Sequence, residues 1–290
     1  MHNHIPQVEI LSRPPEQLEG EVLWFVMRDG ELMVRFLQER PWLPSHHAAS
    51  AYRLETFEHL YMGRLEGRHC FAVPADKRFI PPSGYEFVSL RSLFGQLDLQ
   101  VAAMAGRASQ LISWRRNHQF CSRCGEKASP HVSDSAMVCE ACDYTQYPRI
   151  SPCIITLVIR GEEALLARNA KFPEGFFSCL AGFIEAGESA EQAVHREVHE
   201  EVNVRLGKLT YYSSQSWPFP HALMLGFHSE YVGGKIQEDQ DEIVEAGWFR
   251  YDNLPQIPRP GSIARELIEA WVKDCKAGRY KNKKGDDSGI

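Results

Sequence analysis

The stretch from Gly182 to Val204, GFIEAGESAEQAVHREVHEEVNV, leaves this chain fewer options than any other. Gly182 is followed six positions later by Glu188, and eight positions after that by Arg196-Glu197, with Glu200-Glu201 close behind. From Ala190 to Val202 there is no Gly or Pro. Ala193, Val194, Val198 and Val202 recur near helical period, which predicts an amphipathic helix capped by Ser189. At about 100° per residue, Glu197, Glu200 and Glu201 fall within an arc of about 100° on one face. Three carboxylates so close repel one another. Hard divalent cations take oxygen ligands and remove that repulsion; they also polarise phosphoryl oxygens and acidify a bound water. A solvated helix face explains a lone Glu-Glu pair but not the whole pattern. His195 and His199, spaced i, i+4, raise the zinc-protease helix as a rival. That chemistry places Glu directly after the first His. Here Glu197 comes two later and nearly opposite, so both histidines are expected on the outer face.

A length of 290 residues predicts about two domains, and 43% hydrophobic with 24% charged residues suits a globular chain with real cores. The net charge of −6 argues against a broad nucleic-acid-binding surface. The first residues lack a cationic segment followed by an apolar one, so no secretory signal is expected. The longest apolar run, Cys153 to Ile159, is too short to span a membrane. Of eight cysteines, Cys70, Cys153, Cys179 and Cys275 are scattered, while four form Cys121-Ser-Arg-Cys124 and Cys139-Glu-Ala-Cys142, fourteen residues apart. Two such turns complete a closed tetrahedral Zn²⁺ site, which is structural because no coordination position stays open. A redox dithiol needs only one pair. These features together predict a cytoplasmic protein in a reducing compartment.

The order of elements predicts an α+β chain. Residues 1–98 read as a mixed, mostly-β domain, with strands such as Val22 to Met27 and Glu31 to Phe36; His46-His47 reads as exposed loop surface. Residues 99–146 read as a connecting helix, Leu99 to Arg116, followed by the zinc ribbon. Residues 147–275 form the expected catalytic domain. Its strands are placed at Cys153 to Ile159, Ala164 to Ala167, Phe176 to Leu180, Leu209 to Ser213, Leu223 to Tyr231 and Ala246 to Phe249. A closing helix runs from Ser262 to Val272. Residues 276–290, with Lys281, Lys283 and Lys284, read as a disordered tail.

The Gly182–Val204 spacing resembles the Nudix box, the signature of hydrolases that cut a nucleoside diphosphate linked to another group. Every fixed position matches except the last Gly, here Asn203, the next residue best able to adopt the left-handed helix end. Downstream, Ser214-Gln-Ser-Trp-Pro-Phe-Pro-His221 resembles the proline-aromatic array of the NADH pyrophosphatase branch, with Ser216 in place of a Pro and Ala222 in place of a Ser. The resemblance implies a Nudix α/β/α sandwich with a zinc-ribbon insert. It implies a homodimer that uses Mg²⁺ or Mn²⁺, carries one structural zinc per chain, and cleaves NAD(H) to nicotinamide mononucleotide and AMP. It further implies removal of NAD caps from RNA 5′ ends. Carried onto this chain, it makes Glu197 and Glu201 metal ligands and Glu200 a catalytic or further ligand carboxylate. Glu242 becomes a downstream ligand and the Ala181 carbonyl a backbone ligand. Tyr147, Ala264 and the run Gln215, Ser216, Trp217, Pro218, Phe219, Pro220, His221 and Ala222 become substrate contacts.

In the mechanism these residues suggest, Glu200 orients or deprotonates a water for in-line attack on one phosphorus. Arg196 holds the box loop, with Glu188 as its expected partner. Tyr147 and Phe183 are the first candidates to stack on a base, while Trp217 and Phe219 shape the wall. The alternatives are a Nudix hydrolase of ADP-ribose or dinucleoside polyphosphates, and a non-catalytic nucleotide sensor or RNA-binding ribbon protein.

Overall fold

A computed structural model describes residues 8–45, 49–50, 52–54 and 57–280. The expectations for His46-His47 and for Lys281, Lys283 and Lys284 lie outside the described residues. The chain divides into two units, one running through Ile150 and including Pro218–His221, the other containing Ser151–Trp217 and the chain from Ala222 onward.

The first unit is built on strands β1 (Val8–Ile10), β2 (Val22–Arg28), β3 (Glu31–Leu37), β4 (Arg40–Trp42), β5 (Leu60–Leu65), β6 (Arg68–Pro74) and β7 (Glu86–Ser89). The sheet runs β1-β5-β6-β2-β3-β4, with β7 also paired to β3. Successive side chains of a strand point to opposite faces. Phe25 and Met27 therefore join one core, where Met104, Ala105, Ala108 and Leu111 pack against them, while Trp24 and Val26 join another with Met33 and Phe71. The four packing residues belong to helix α2 (Leu99–Asn117), which follows the short α1 (Leu90–Leu93) and ends one residue past the expected Arg116. Three short strands, β8 (Ser129–Pro130), β9 (Met137–Cys139) and β10 (Tyr144–Gln146), form the ribbon in the order β10-β9-β8. Its apolar residues Ala128 and Met137 pack on Trp114.

The second unit is an α/β/α sandwich. Its strands are β11 (Ser151–Arg160), β12 (Glu163–Asn169), β13 (Leu180–Phe183), β14 (Val204–Trp217), β15 (Ala222–Gly234) and β16 (Ile243–Arg250). They run β14-β15-β11-β12-β16, with β13 added alongside β11. The β11–β15 pair is parallel, while β12 returns antiparallel across the Gly161 turn. Buried on both faces, β11 reads as the continuous apolar run that the sequence shows. Cys153, Ile155, Leu157 and Ile159 face helix α4 (Ile263–Lys276), whose Trp271 is fully buried. Ile154 and Val158 face helix α3 (Ala190–Val202) through Ala193, Val194, Val198 and Val202. Ser262 caps α4 by accepting from the Arg265 N–H at 3.3 Å.

One strand differs from expectation. Phe176 and Ser178 make only isolated bridges, and the strand lies at Leu180–Phe183, so it contains Ala181 and Gly182 instead of ending before them. Glycine weakens a strand interior unless another group must approach closely there. At Gly182 one does, because a Cβ would overlap the carboxylate of Glu197.

Helix α3 has a reciprocal cap. Ser189 Oγ accepts from the Gln192 N–H at 3.2 Å, and Gln192 Oε1 accepts from the Ser189 N–H at 2.8 Å. Its other end is Asn203, left-handed at φ 56° and ψ 34°, with its N–H donated to the His199 carbonyl. Asn203→Gly is expected to leave thermal stability nearly unchanged, whereas Asn203→Val, β-branched at a left-handed position, should cost about 1–2 kcal/mol. Equal melting temperatures for the two variants would show that this conformation is not needed.

Candidate active site

The acidic face of α3 is organised by one guanidinium. Arg196 Nε and Nη2 donate to the two carboxylate oxygens of Glu188 at 2.6 and 2.8 Å, a bidentate pair. Its Nη1 donates to both Glu197 Oε1 and Glu200 Oε2 at 2.9 Å, and Nη2 also reaches the Phe183 carbonyl at 2.9 Å. Arg196 thus ties the loop leaving β13, the start of α3 and two of its acids into one frame. These hydrogen bonds, helped by the Glu185 N–H, hold the Glu188 carboxyl at about 2.

Glu201 sits differently. It is 5% exposed, and its Oε2 is buried without a hydrogen-bond partner. Burial first, then the charges of Glu197, Glu242, Asp239 and Glu200, push its carboxyl up to about 8. Burial also raises Glu197, against the pull of Arg196 and with the push of Glu200 and Glu242. Of five carboxylates (Glu188, Glu197, Glu200, Glu201 and Glu242), three share one guanidinium, and an orphaned buried oxygen of Glu201 lies beside them. Oxygen donors in that state fit divalent cations.

Glu242 reaches this cluster from an exposed loop ahead of β16. Asp239, which the sequence reading passed over, builds that loop: its Oδ1 accepts the N–H groups of Asp241, Glu242 and Ile243 at 3.1, 3.0 and 2.8 Å. The Asp239 N–H in turn reaches the Glu201 carbonyl at 3.2 Å. An Asp capping its own following backbone was the available sequence signal. Buried Cys153, also unassigned from sequence, lies near enough for the Glu197 and Glu201 charges to reinforce the rise that burial imposes on its thiol, to about 12. His195 and His199 are exposed.

The residues expected to touch substrate are dispersed among different local roles. Ala181 is half-buried in β13, paired with Ile155, and Phe183 is exposed. Gln215 closes the start of α4, donating to the Gly261 carbonyl and accepting from the Ile263 N–H, both at 2.8 Å. Ala264 and Ala222 are buried and Trp217 packs in the same core, while Ser216 is exposed. Tyr147 and Pro218–His221 fall in the first unit, where Tyr147 is exposed. There Phe219 packs edge-on to Phe94 at 5.3 Å under the Arg91 guanidinium, and Pro218 lies against Gly106. Pro220 is exposed and His221 half-buried.

The four cysteines Cys121, Cys124, Cys139 and Cys142 converge, their sulfurs all within 4.8 Å of one another. The Cys121–Cys142 and Cys124–Cys139 separations are 3.6 and 3.4 Å. Tetrahedral Zn–S bonds of about 2.3 Å place sulfurs about 3.8 Å apart. The Arg123 N–H donates to Cys121 Sγ at 3.3 Å, as a thiolate requires. The set fits structural zinc.

Residues 149–271 match the NUDIX domain model, residues 21–114 the NADH pyrophosphatase-like rudimentary NUDIX domain, and residues 116–147 the NADH pyrophosphatase zinc ribbon domain. A Pseudomonas syringae pv. tomato protein named NAD-capped RNA hydrolase NudC is 50% identical over 191 residues, 66% of this chain and 69% of that one. A Pseudomonas aeruginosa protein of the same name is 46% identical over 211 residues, 73% of this chain and 76% of that one. One from Pectobacterium carotovorum is 47% identical over 192 residues, 66% of this chain and 74% of that one.

Two outcomes are expected. With its carboxyl near 8, Glu201 binds a proton in the folded state over a range where the unfolded chain has lost it, so metal-free stability falls as pH rises from about 5 to 8. Divalent cations should restore more of the melting temperature at the upper end of that range, and Glu201→Gln should flatten the slope; an equally steep slope in Glu201→Gln would reject the assignment. In the ribbon, Cys139→Ser should lower zinc measured by mass spectrometry and expose the Trp114–Met137 contact to proteolysis. Full zinc content in that variant would reject the four-sulfur site.

Proposed function

The chain belongs to the NAD-capped RNA hydrolase family of Nudix enzymes, and we propose that the acidic face of α3 is where it cuts the diphosphate of NAD(H) and of NAD at RNA 5′ ends. The products are nicotinamide mononucleotide and AMP, or nicotinamide mononucleotide and a 5′-phosphorylated RNA. The observation that carries the reading is the partnerless buried oxygen of Glu201 within a carboxylate cluster that one arginine cannot neutralise.

Glu197, Glu201 and Glu242, with the Ala181 carbonyl, hold the metal in this reading, and the all-oxygen donor set supports Mg²⁺ or Mn²⁺. Bound there, such ions neutralise the diphosphate and lower the pKa of a coordinated water. Glu200 is mostly exposed and is oriented through its Oε2 by Arg196. It is placed to take the proton of the attacking water while the phosphorus–bridging-oxygen bond breaks and the leaving phosphate departs with that electron pair. Arg196 is a positioning residue, since its donors are already committed to Glu188, Glu197, Glu200 and the Phe183 carbonyl. Exposed Phe183, at the end of β13, offers an aromatic face to a base or to the nicotinamide ring. A homodimer in the cytoplasm completes the proposal. The clustered thiols suit a reducing compartment, and no helix among the described residues is long and apolar enough to cross a membrane.

The test is incubation of purified protein and Mg²⁺ with NADH, NAD-capped RNA, ADP-ribose or diadenosine polyphosphate, with products identified by mass. NADH and NAD-capped RNA are expected to be cleaved in preference to the other two. Glu200→Gln should retain the fold and reduce kcat by about 10²–10⁴-fold. Wild-type turnover in that variant would remove Glu200 from the chemistry, and preference for ADP-ribose would reassign the substrate.

A further inference from the structure

A cleft of about 310 Å³ opens within the first unit, lined by β5, β6, α2 and the ribbon. Its wall is aromatic: Tyr61, Phe71 and Trp114 line it, together with His59. The Tyr61 and Phe71 rings are 5.1 Å apart, and His59 sits edge-on to Phe71 at 5.1 Å. Arg13 and Arg115 supply positive charge. Arg115 is partly satisfied by Glu58 at 3.2 Å, whereas Arg13 is exposed and makes no ion pair among the described residues.

Two of the polar residues in the lining, His131 and Trp114, carry N–H donors without a partner on that atom among the described residues. His131 Nδ1 accepts the N–H groups of Ser133 and Asp134 at 3.2 and 3.0 Å, which leaves the proton of the neutral ring on Nε2. Trp114 is 8% exposed, and its indole N–H is buried with no hydrogen-bond partner. An unmatched buried donor is rare in a folded chain, and this one belongs to a residue of the cleft lining. Ser12 and Ser135, joined by a 3.1 Å hydrogen bond, tie the N-terminal segment to the ribbon at this cleft.

A cleft lined by aromatic rings and two arginines matches a heteroaromatic base carrying a phosphate. Stacking tolerates any base, and the arginine fork pairs with phosphate oxygens. The volume lies at the low end of the range for small-molecule sites, which favours one nucleotide over a dinucleotide. Helix α2 carries neither Asp nor Glu along its nineteen residues, and Asp134 is the acid in the lining. The cleft therefore lacks the carboxylate array that holds cations on α3. We propose that this cleft is a second nucleotide site, one that binds a nucleoside 5′-monophosphate without cutting it. The same chemistry is offered by free AMP and by a nucleotide within an RNA strand.

The probe is AMP, measured by equilibrium dialysis on full-length, zinc-loaded protein carrying Glu200→Gln. The expected result is a second bound AMP per chain beyond the one taken by the hydrolytic site. Arg13→Glu should weaken that second event by about tenfold or more. In the otherwise wild-type chain, Arg13→Glu should leave kcat/KM for NADH unchanged. Trp114→Phe keeps an aromatic ring against Ala128 and Met137, and it should remove the part of the AMP-induced change in tryptophan fluorescence that Arg13→Glu also removes. A short 5′-hydroxyl RNA that displaces the second AMP assigns the cleft to RNA, and failure to displace it assigns the cleft to free nucleotides. A single AMP per chain, or a second one indifferent to Arg13→Glu, overturns the proposal while leaving the assignment of the hydrolytic site intact.

Discussion

The frame of the candidate active site hangs on the Arg196 fork. Two unit charges about 4 Å apart repel by about 4 kcal/mol at the effective dielectric of a protein surface. An acidic face with several such pairs would splay its side chains or fray its helix. Arg196 prevents this by committing donors to Glu188, Glu197 and Glu200 at once. The same group fastens the Phe183 carbonyl, and so the end of β13, to α3. Repulsion is thereby contained but not cancelled. Glu201, out of the arginine's reach, keeps an unpartnered oxygen and a carboxyl pushed up to about 8 by burial and its acidic neighbours. A buried oxygen left in that state is the feature on which the proposed cation site rests.

Close packing enforces the arrangement. Glu197 lies so near the β13 backbone that a side chain at position 182 would have to displace its carboxylate from Arg196, and β13 is fixed in turn by its pairing with the buried β11. The Asp239 loop is bonded to the Glu201 carbonyl and carries Glu242 to the same place. Core packing on α4 and α3 from opposite faces of β11 makes the sheet a stiff base for all of this.

Much of this was legible in the sequence because it depends on local rules. The spacing of Glu197, Glu200 and Glu201 follows from helix geometry, and Asn203 adopts the left-handed end that its side chain tolerates. Glu188 pairs with Arg196 as expected, and the paired Cys-x-x-Cys turns bring four sulfurs together. What escaped depends on tertiary contacts. The strand was placed at Phe176 to Leu180, short of Gly182, because propensity knows nothing of the Glu197 carboxylate pressed against that glycine. Asp239 was not singled out, because its role lies in three backbone bonds. The Gln215 amide closes the start of α4 through partners nearly fifty residues away in sequence, a role no local pattern signals. The cleft around Trp114 was invisible for the same reason: its walls come from segments that only the fold assembles.

The most direct test of the central claim is Mn²⁺ binding to the substrate-free protein, followed by electron paramagnetic resonance, in wild type and in Glu197→Gln/Glu201→Gln. If the acidic face of α3 exists to hold divalent cations, the wild type binds Mn²⁺ and the double variant, still folded by circular dichroism, loses the bound-ion signal. Undiminished binding in the folded double variant would contradict the account, because the cations would then sit somewhere other than on these carboxylates.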